Sequence, residues 1–229
     1  MNDRRSFQKV AAITTLLSGP LAWLGLIVGL MGVGYDFEVF SDVNSLIAVG
    51  SEAAGLIRWS LLLNMFGSYL LLMPLLLFLW AWLKEDSPLF VNFYTLSGLL
   101  FLLLGAVGAA ISASVWPKLI NEYVGASAGQ QEVLAAIFRA VAGVTEEGIQ
   151  STIQNVPAAI WFLGMGSLLR QRRRGLGILA LVLGVFLLLN GIGSLLQIES
   201  LSLLGLTGNL LLVPIWAIWF GVDLLKKPI

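Results

Sequence analysis

The stretch QQEVLAAIFRAVAGVTEEGIQSTIQNVPAAIWFLGMGSLLRQRRR, residues 130–174, decides how the rest of the chain is interpreted. Its second half, from Val156 to Leu169, is apolar and is followed by arginines, as in a span that ends at the cytoplasmic surface. Its first half is polar on one side only. The spacing predicts one long helix from Gln130 to Arg174, of which residues 130–151 extend beyond the membrane on the outer side.

Two faces of this predicted helix differ in polarity when residues are placed about 100° apart. The polar stripe contains Glu132, Arg139, Gly143, Glu146, Glu147, Gln150 and Gln154. The apolar residues lie mainly on other faces: Val133, Ile137, Val141, Val144, Ile149, Ile153, Val156 and Ile160. We expect the Val133–Ile137–Val141 face to pack onto the outer ends of the first three spans as a lid. The alternative is a helix that stands away from the bundle and binds a partner through that face.

The composition is that of an integral membrane protein. Of 229 residues, 58% are apolar and 11% are charged, and the mean hydropathy is +0.92. Apolar segments of about 20 residues or more predict membrane-spanning helices. We therefore expect an all-α, six-span bundle forming one domain over residues 1–229. The predicted spans are 10–34, 56–82, 90–116, 152–170, 175–197 and 203–225.

The residue types that are missing argue against catalysis. The chain has no cysteine and no histidine, so it lacks thiolate chemistry, the commonest general base and the commonest metal ligand. Adjacent Glu146 and Glu147 resemble the paired glutamates of prenyl-protein-processing proteases, but the histidines of such a site do not exist here. We expect no enzyme activity, no cofactor and no metal. No basic face is free for nucleic acid.

Lysine and arginine are distributed unequally between the two sides of the predicted bundle. Ten of the thirteen lie in the N-terminus, the 84–89 and 170–174 turns and the C-terminus; Arg58, Lys118 and Arg139 are the exceptions. Because basic residues favour the cytoplasmic side, we expect both termini to be cytoplasmic and the chain to cross the lipid bilayer from that side.

Small residues recur along three predicted spans. Such seams let helices approach closely, either within the chain or against another membrane protein or a second copy. The seams are Gly25 and Gly29, then Gly98, Gly105 and Ser112, and then Gly177, Gly184 and Gly191.

The candidate ligand-binding residues are amides and charges near the outer side. Asn155, Asn190 and Asn209 lie about 22–26 Å from the cytoplasmic boundary, in the outer third of the hydrocarbon. Such amides need partners, so we expect them to face inward, either as a clamp between helices or around a pocket. The other candidates are Gln154 beside them and Arg58, Glu146, Glu147 and Gln150 at the outer edge.

The C-terminal half carries a family resemblance. The segments IWFLG (160–164), LGIL (176–179) and PIWAIWFG (214–221), together with the long polar helix, resemble an uncharacterised family of bacterial six-helix membrane proteins. The resemblance implies a six-span inner-membrane protein and carries no activity and no catalytic residues.

Two functions stay open at this point. The first is a structural or accessory subunit that binds another membrane protein. The second is a small-solute or lipid-headgroup binding or transport protein with an outward-facing polar pocket. We prefer the first on sequence grounds, because no strongly acidic or basic group is predicted deep within a span.

Overall fold

A computed structural model describes residues 2–227 of the chain. Within this range the protein has helices and no strand, which confirms the all-α prediction. Two of the long helices contain irregular turns. In each of them, the elements on either side of the irregular turn follow one another directly and form one continuous helical rod. The elements are α1 (Asn2–Gly32), α2 (Phe37–Ser41), α3 (Val43–Leu46), α4 (Ser51–Asn64), a first π-segment (Met65–Tyr69), a 3₁₀ turn (Leu70–Leu72), α5 (Met73–Leu83), α6 (Pro88–Val124), α7 (Ala128–Ala142), a second π-segment (Gly143–Ile153), α8 (Asn155–Arg172), α9 (Arg174–Leu195) and α10 (Glu199–Lys226).

The long helices form a closed ring in chain order. Each packs against the next, from α1 through α4–α5, α6, α8, α9 and α10, and α10 packs back onto α1. The N-terminal and C-terminal ends consequently meet, since the Gln8 amide donates to the carbonyl of Leu224 at 2.9 Å. Both described ends of the chain therefore lie at the same end of the bundle, called here the termini end.

Five helices in the described range are long and apolar enough to cross a membrane. They are Asp3–Gly32, Ser51–Leu83, Pro88–Val124, Arg174–Leu195 and Glu199–Lys226. This is compatible with a multi-pass membrane protein. The α8 helix is not among them, because its 18 residues include Asn155, Arg170 and Arg172. Half of its residues are buried against other helices of the protein, and α8 therefore faces protein more than lipid.

Aromatic side chains fill the centre of the ring. Trp161 and Phe162 of α8 contact Trp216 of α10 with ring centroids 6.1 and 5.2 Å apart, in edge-to-face geometry. Phe101 of α6 lies 5.9 Å from Trp161. The Trp216 indole donates to the carbonyl of Leu176, which satisfies its only polar group. Rings of this size exclude water from the middle of the bundle.

The predicted small-residue seams are covered by the chain's own helices. A methyl group at Gly25 would lie 3.0 Å from the Ser60 carbonyl, so α1 closely approaches α4. On α6, a methyl group at Gly98 would meet the Trp161 ring at 2.8 Å. On α9, one at Gly191 would lie 3.2 Å from Asn155 Cβ. The seams therefore build this fold and are not left open for a partner.

Ion pairs hold the termini end together. Arg172 contacts Asp86 at 2.7 Å, and Arg173 contacts Asp223 at 2.8 Å, which joins the 84–87 turn, the α8–α9 turn and α10. Arg172 also lies over the Trp82 ring, 5.3 Å from its centroid. The carboxylates are close to the basic residues whose excess marks this end, so part of the positive charge is neutralised locally.

A second hydrophobic core lies at the opposite end, beyond the aromatic centre. The α7 helix folds back along the end of α6, and Phe138 contacts Trp116 with ring centroids 5.2 Å apart. The other buried members of this second core are Leu46, Ile47, Ala53, Ala54, Ile57, Leu119, Ile120 and Ala142. The α7 helix thus packs on this second core through Phe138.

The face by which α7 packs differs from the predicted one. Phe138 is fully buried, whereas Val133 and Ile137 are 60% and 45% exposed. Val141 is only half-buried at the edge of the second core. The prediction chose the wrong apolar stripe because an aromatic at position 138 can fill a gap beside Trp116 that a shorter side chain cannot.

We expect Phe138→Ala to destabilise the second core by about 3–5 kcal/mol, because it leaves a cavity beneath α7. Ile137→Ala is the matched control and should cost much less, since the side chain is already half exposed. Unfolding of purified protein in detergent measures both. Equal losses for the two variants would contradict this packing.

Candidate functional site

Two irregular helical segments lie just before prolines. The first π-segment, Met65–Tyr69, precedes Pro74, and the second, Gly143–Ile153, precedes Pro157. Proline has no N–H and its ring displaces the carbonyl four residues earlier, so the preceding turn cannot keep regular α-helical bonds. Gln154 N–H bonds Ile149 five residues back, at 2.9 Å. π-Helical turns are rare and are frequent at functional sites.

Polar side chains from both π-segments meet beside α6. The Tyr69 hydroxyl faces the side chains of Gln154 and Asn64, and the Glu146 carboxylate lies near enough to interact with it. Ser112 of α6 lies within hydrogen-bonding reach of Glu146. We call the group formed by Asn64, Tyr69, Ser112, Thr145, Glu146, Gln150 and Gln154 the polar cluster.

Glycines on α6 make room for this cluster. A methyl group at Gly105 would overlap the Tyr69 ring. One at Gly108 would lie 2.9 Å from the Gln150 amide nitrogen. The absence of a side chain at Gly108 thus lets Gln150 lie against α6, close to the point where Ser112 meets Glu146.

Two amide atoms in the polar cluster are buried without a protein partner. They are Nε2 of Gln150 and Oε1 of Gln154, and the whole Gln154 side chain is only 3% exposed. A buried polar atom without a partner costs about 1–3 kcal/mol, so water or a ligand at this position would be stabilised. The first atom is a hydrogen-bond donor and the second is an acceptor.

Glu146 is a half-buried carboxyl with uncharged neighbours. No ion pair in residues 2–227 includes it, and the hydroxyls of Ser112 and Tyr69 face it. Burial raises the pKa of Glu146 from 4.5 to about 7, and the Ser112 hydrogen bond partly opposes this rise. The group lies before the predicted 152–170 span. It can therefore exchange a proton near neutral pH.

The Ser112 hydroxyl lies within reach of two hydrogen-bond acceptors, Thr145 Oγ1 and the Glu146 carboxylate. Its hydroxyl donates to Thr145 Oγ1 at 3.1 Å, and Thr145 in turn donates to the Val141 carbonyl at 3.0 Å. The same single proton can turn to Glu146 when that carboxyl is ionised. The hydrogen bonding of the cluster thus depends on the charge state of one residue.

Two of the three asparagines that were predicted to face inward bond each other. Asn155 donates to Asn190 Oδ1 at 2.9 Å and to the Ser151 carbonyl at 2.7 Å, and both asparagines are buried. Asn209 is half-buried on α10, and its Oδ1 has no partner. The pair is a clamp between α8 and α9. The predicted depth in the membrane placed Asn209 at the same level as this pair, but depth does not specify which face of α10 carries the side chain.

The remaining predicted site residues lie outside the polar cluster. Arg58 and Glu147 are exposed, and within the described residues neither glutamate is paired with Arg58. Sequence reasoning missed Tyr69 and Thr145 as members and treated Ser112 only as a packing residue. A tyrosine five residues before Pro74, inside an otherwise apolar span, was the available signal.

Replacing Asn155 with Leu removes the donor of a buried interhelical bond, and we expect a loss of roughly 0.6–2 kcal/mol. The double variant Asn155→Leu, Asn190→Leu should be less costly than the two single losses added, because no partner is left unpaired. Asn209→Leu is the control, since its Oδ1 has no bond to lose. Unfolding in detergent compares them; strictly additive losses would contradict the clamp.

No family model, no curated protein and no solved structure matches this chain. The family resemblance in the C-terminal half therefore stays a prediction, and the function is argued from the site alone.

Proposed function

We propose that this chain is a non-catalytic membrane protein that binds a small polar solute or a lipid headgroup in the polar cluster. The observation that carries the proposal is the pair of buried, unpartnered amide atoms of Gln150 and Gln154 in the polar cluster, which also contains Glu146. A structural clamp satisfies its own groups, as Asn155 and Asn190 do. The polar cluster does not, which favours a site that is completed by something else.

The setting of these groups supports the same proposal. Both π-segments border the cluster, so the backbone there departs from a regular helix on two sides. The first π-segment lies inside a proposed span, where irregular backbone is tolerated if it is buried in protein or borders a cavity. Two open depressions lie on other surfaces, at Gly32–Val49 and at Tyr123–Arg139. Neither depression is lined by a residue of the polar cluster.

The preference for a binding protein reverses the ranking made from sequence. An accessory subunit was expected to use the small-residue seams or the projecting helix, and the seams are covered by the chain's own helices. One observation still favours the accessory role as a second candidate. Val133, Ile137, Val144, Ile153 and Val156 leave an exposed apolar strip along α7, the second π-segment and the start of α8. Another membrane protein, a second copy or lipid would cover it.

We also propose the membrane arrangement. The chain crosses a bacterial cytoplasmic membrane six times, with α8 as the fourth span and the termini end in the cytoplasm. The excess of lysine and arginine at that end supports this orientation. The closed ring supports six crossings, because α8 lies between α6 and α9, both long enough to span. The second core, with α7, then lies at the outer surface.

Cysteine labelling tests this arrangement cleanly, because the natural chain contains no cysteine. We expect a cysteine placed at Asp42 or Glu122 to react with an impermeant maleimide in intact cells. A cysteine at Ser87 should react only after the cells are permeabilised. External labelling at Ser87 would exclude the proposed orientation.

Solute binding is tested by thermal unfolding of the detergent-purified protein against a panel of amines, amides, polyols and amino acids. A ligand at about ten times its Kd should stabilise the fold by about 1.4 kcal/mol and raise Tm by a few degrees. Gln154→Leu should remove that response, and Tm measured without solute reports the separate loss of its interaction with the Tyr69 hydroxyl.

Gln171→Leu is the matched control, since Gln171 is exposed in the basic turn at the termini end. It should respond to the solutes as the natural protein does. If no solute raises Tm, and Ile137→Asp abolishes co-purification of another membrane protein from cells, the binding proposal fails. The accessory role would then be preferred.

A further inference from the structure

The charge balance of the polar cluster limits what can occupy it. Glu146 contributes the one ionisable acidic group, and no lysine or arginine within residues 2–227 pairs with it. A carboxylate withdrawn from water without a counter-charge is neutralised by a proton or by a bound cation. The occupant therefore carries a single positive charge or leaves Glu146 protonated.

The hydrogen-bonding groups of the polar cluster restrict the chemical class of the ligand further. The Gln154 Oε1 atom is a free acceptor and the Gln150 Nε2 atom is a free donor. An ammonium group offers three donors, which suit the carboxylate and an amide oxygen. A metal ion alone would leave the Gln150 donor unpaired. An oxygen atom on the same molecule as the ammonium group would accept from it.

We propose that the polar cluster binds the ammonium group of a small amine that also carries an oxygen acceptor, with Glu146 and Gln154 holding the ammonium and Gln150 the oxygen. This inference rests on the proposed function and names the chemical class of the ligand. Free ethanolamine and the ethanolamine headgroup of a membrane lipid share this chemistry. The experiment below distinguishes them.

When the amine binds, its ammonium charge replaces the proton on the Glu146 carboxyl group. When the site is empty, Glu146 holds a proton at low pH, because burial raises its pKa to about 7. The amine binds the ionised carboxylate, so the proton leaves as the ligand enters. Affinity therefore rises with pH through neutrality and levels off above it, until the amine itself loses its proton.

Glu146 accounts for this pH dependence of the affinity, because the other groups around it do not change charge near neutral pH. The first π-segment supplies Tyr69, which is neutral at these pH values. On α6 the facing residues are Ser112 and Gly108, and Lys118 is exposed six residues further on. On its own helix Glu147 and Arg139 are exposed. The only ionisable residue of α9 is Arg174, at the opposite end of the bundle.

The first arm of the test titrates ethanolamine into the detergent-purified protein by calorimetry at pH 6 and pH 8. We expect Kd to be about tenfold weaker at pH 6, since only about a tenth of Glu146 is ionised there. Glu146→Gln should abolish binding. Glu147→Gln is the control one residue away and should bind as the natural protein does.

The second arm separates the free amine from the lipid. The protein is reconstituted in vesicles of phosphatidylglycerol mixed with either phosphatidylethanolamine or phosphatidylcholine, and Tm is measured. A higher Tm with phosphatidylethanolamine that is lost in Glu146→Gln identifies the headgroup. A response to ethanolamine alone, with equal Tm in both vesicles, identifies the free amine.

Several outcomes would overturn the inference. They are ethanolamine binding that is equal in Glu146→Gln and the natural protein, a Kd that does not change with pH, or sodium chloride reproducing the effect where choline chloride does not. Should Glu146→Gln fail to fold, Gln154→Leu replaces it and should weaken ethanolamine binding at least tenfold. Gln154-dependent binding of an uncharged solute would end this inference and leave the proposed function intact. No binding of any solute would end both.

Discussion

Gly98, Gly105 and Gly108 leave one face of α6 without side chains, and the neighbouring helices lie directly on it. Trp161 covers the first, Tyr69 the second and Gln150 the third. Between membrane helices, packing and hydrogen bonds provide the attraction, because lipid tails are as apolar as leucine. The close contact at these glycines therefore holds α4–α5, α6 and the α7–α8 rod at the spacing that the rest of the ring requires.

The same face determines what lies above the aromatic centre. Towards the termini end, Phe101 and Trp161 fill the space, and the core is apolar. Four residues beyond Gly108, Ser112 replaces glycine, and polar groups from the two π-segments gather there. Pro74 and Pro157 loosen the backbone on both sides of this point. The bundle thus changes along one helix from a sealed core to a cluster with unpaired groups.

The polar groups near this level fall into two kinds. Asn155 and Asn190 satisfy each other and join α8 to α9 where Gly191 allows close approach. Gln150 and Gln154 lie on the same rod but remain without partners for one atom each. The difference is geometric, because α9 presents an amide to Asn155 whereas α6 presents glycine to Gln150. Only the second arrangement leaves buried amide atoms without a protein partner.

Much of the architecture follows from sequence. Apolar segment lengths predict spanning helices, small-residue spacing predicts their seams, and the long helical rod with its polar stripe is readable at 130–174. The all-α class and the packing of Gly25, Gly98 and Gly191 agree with the structure. These properties are local: each depends on residue type and period along one helix.

Other properties depended on which helix faces which. The polar stripe gave no reason to separate half-buried Glu146 from exposed Glu147, since both lie within its arc. The choice of Phe138 over Ile137 depended on Trp116, and the separation of Asn209 from the asparagine pair depended on the rotation of α10. The π-segments alter the number of residues per turn, so a regular helical wheel misplaces every residue beyond them. The sequence by itself determined the helices, their seams and their polar residues, whereas the tertiary structure alone decided which of those residues share an enclosed space, because helix rotation and register are fixed only by packing.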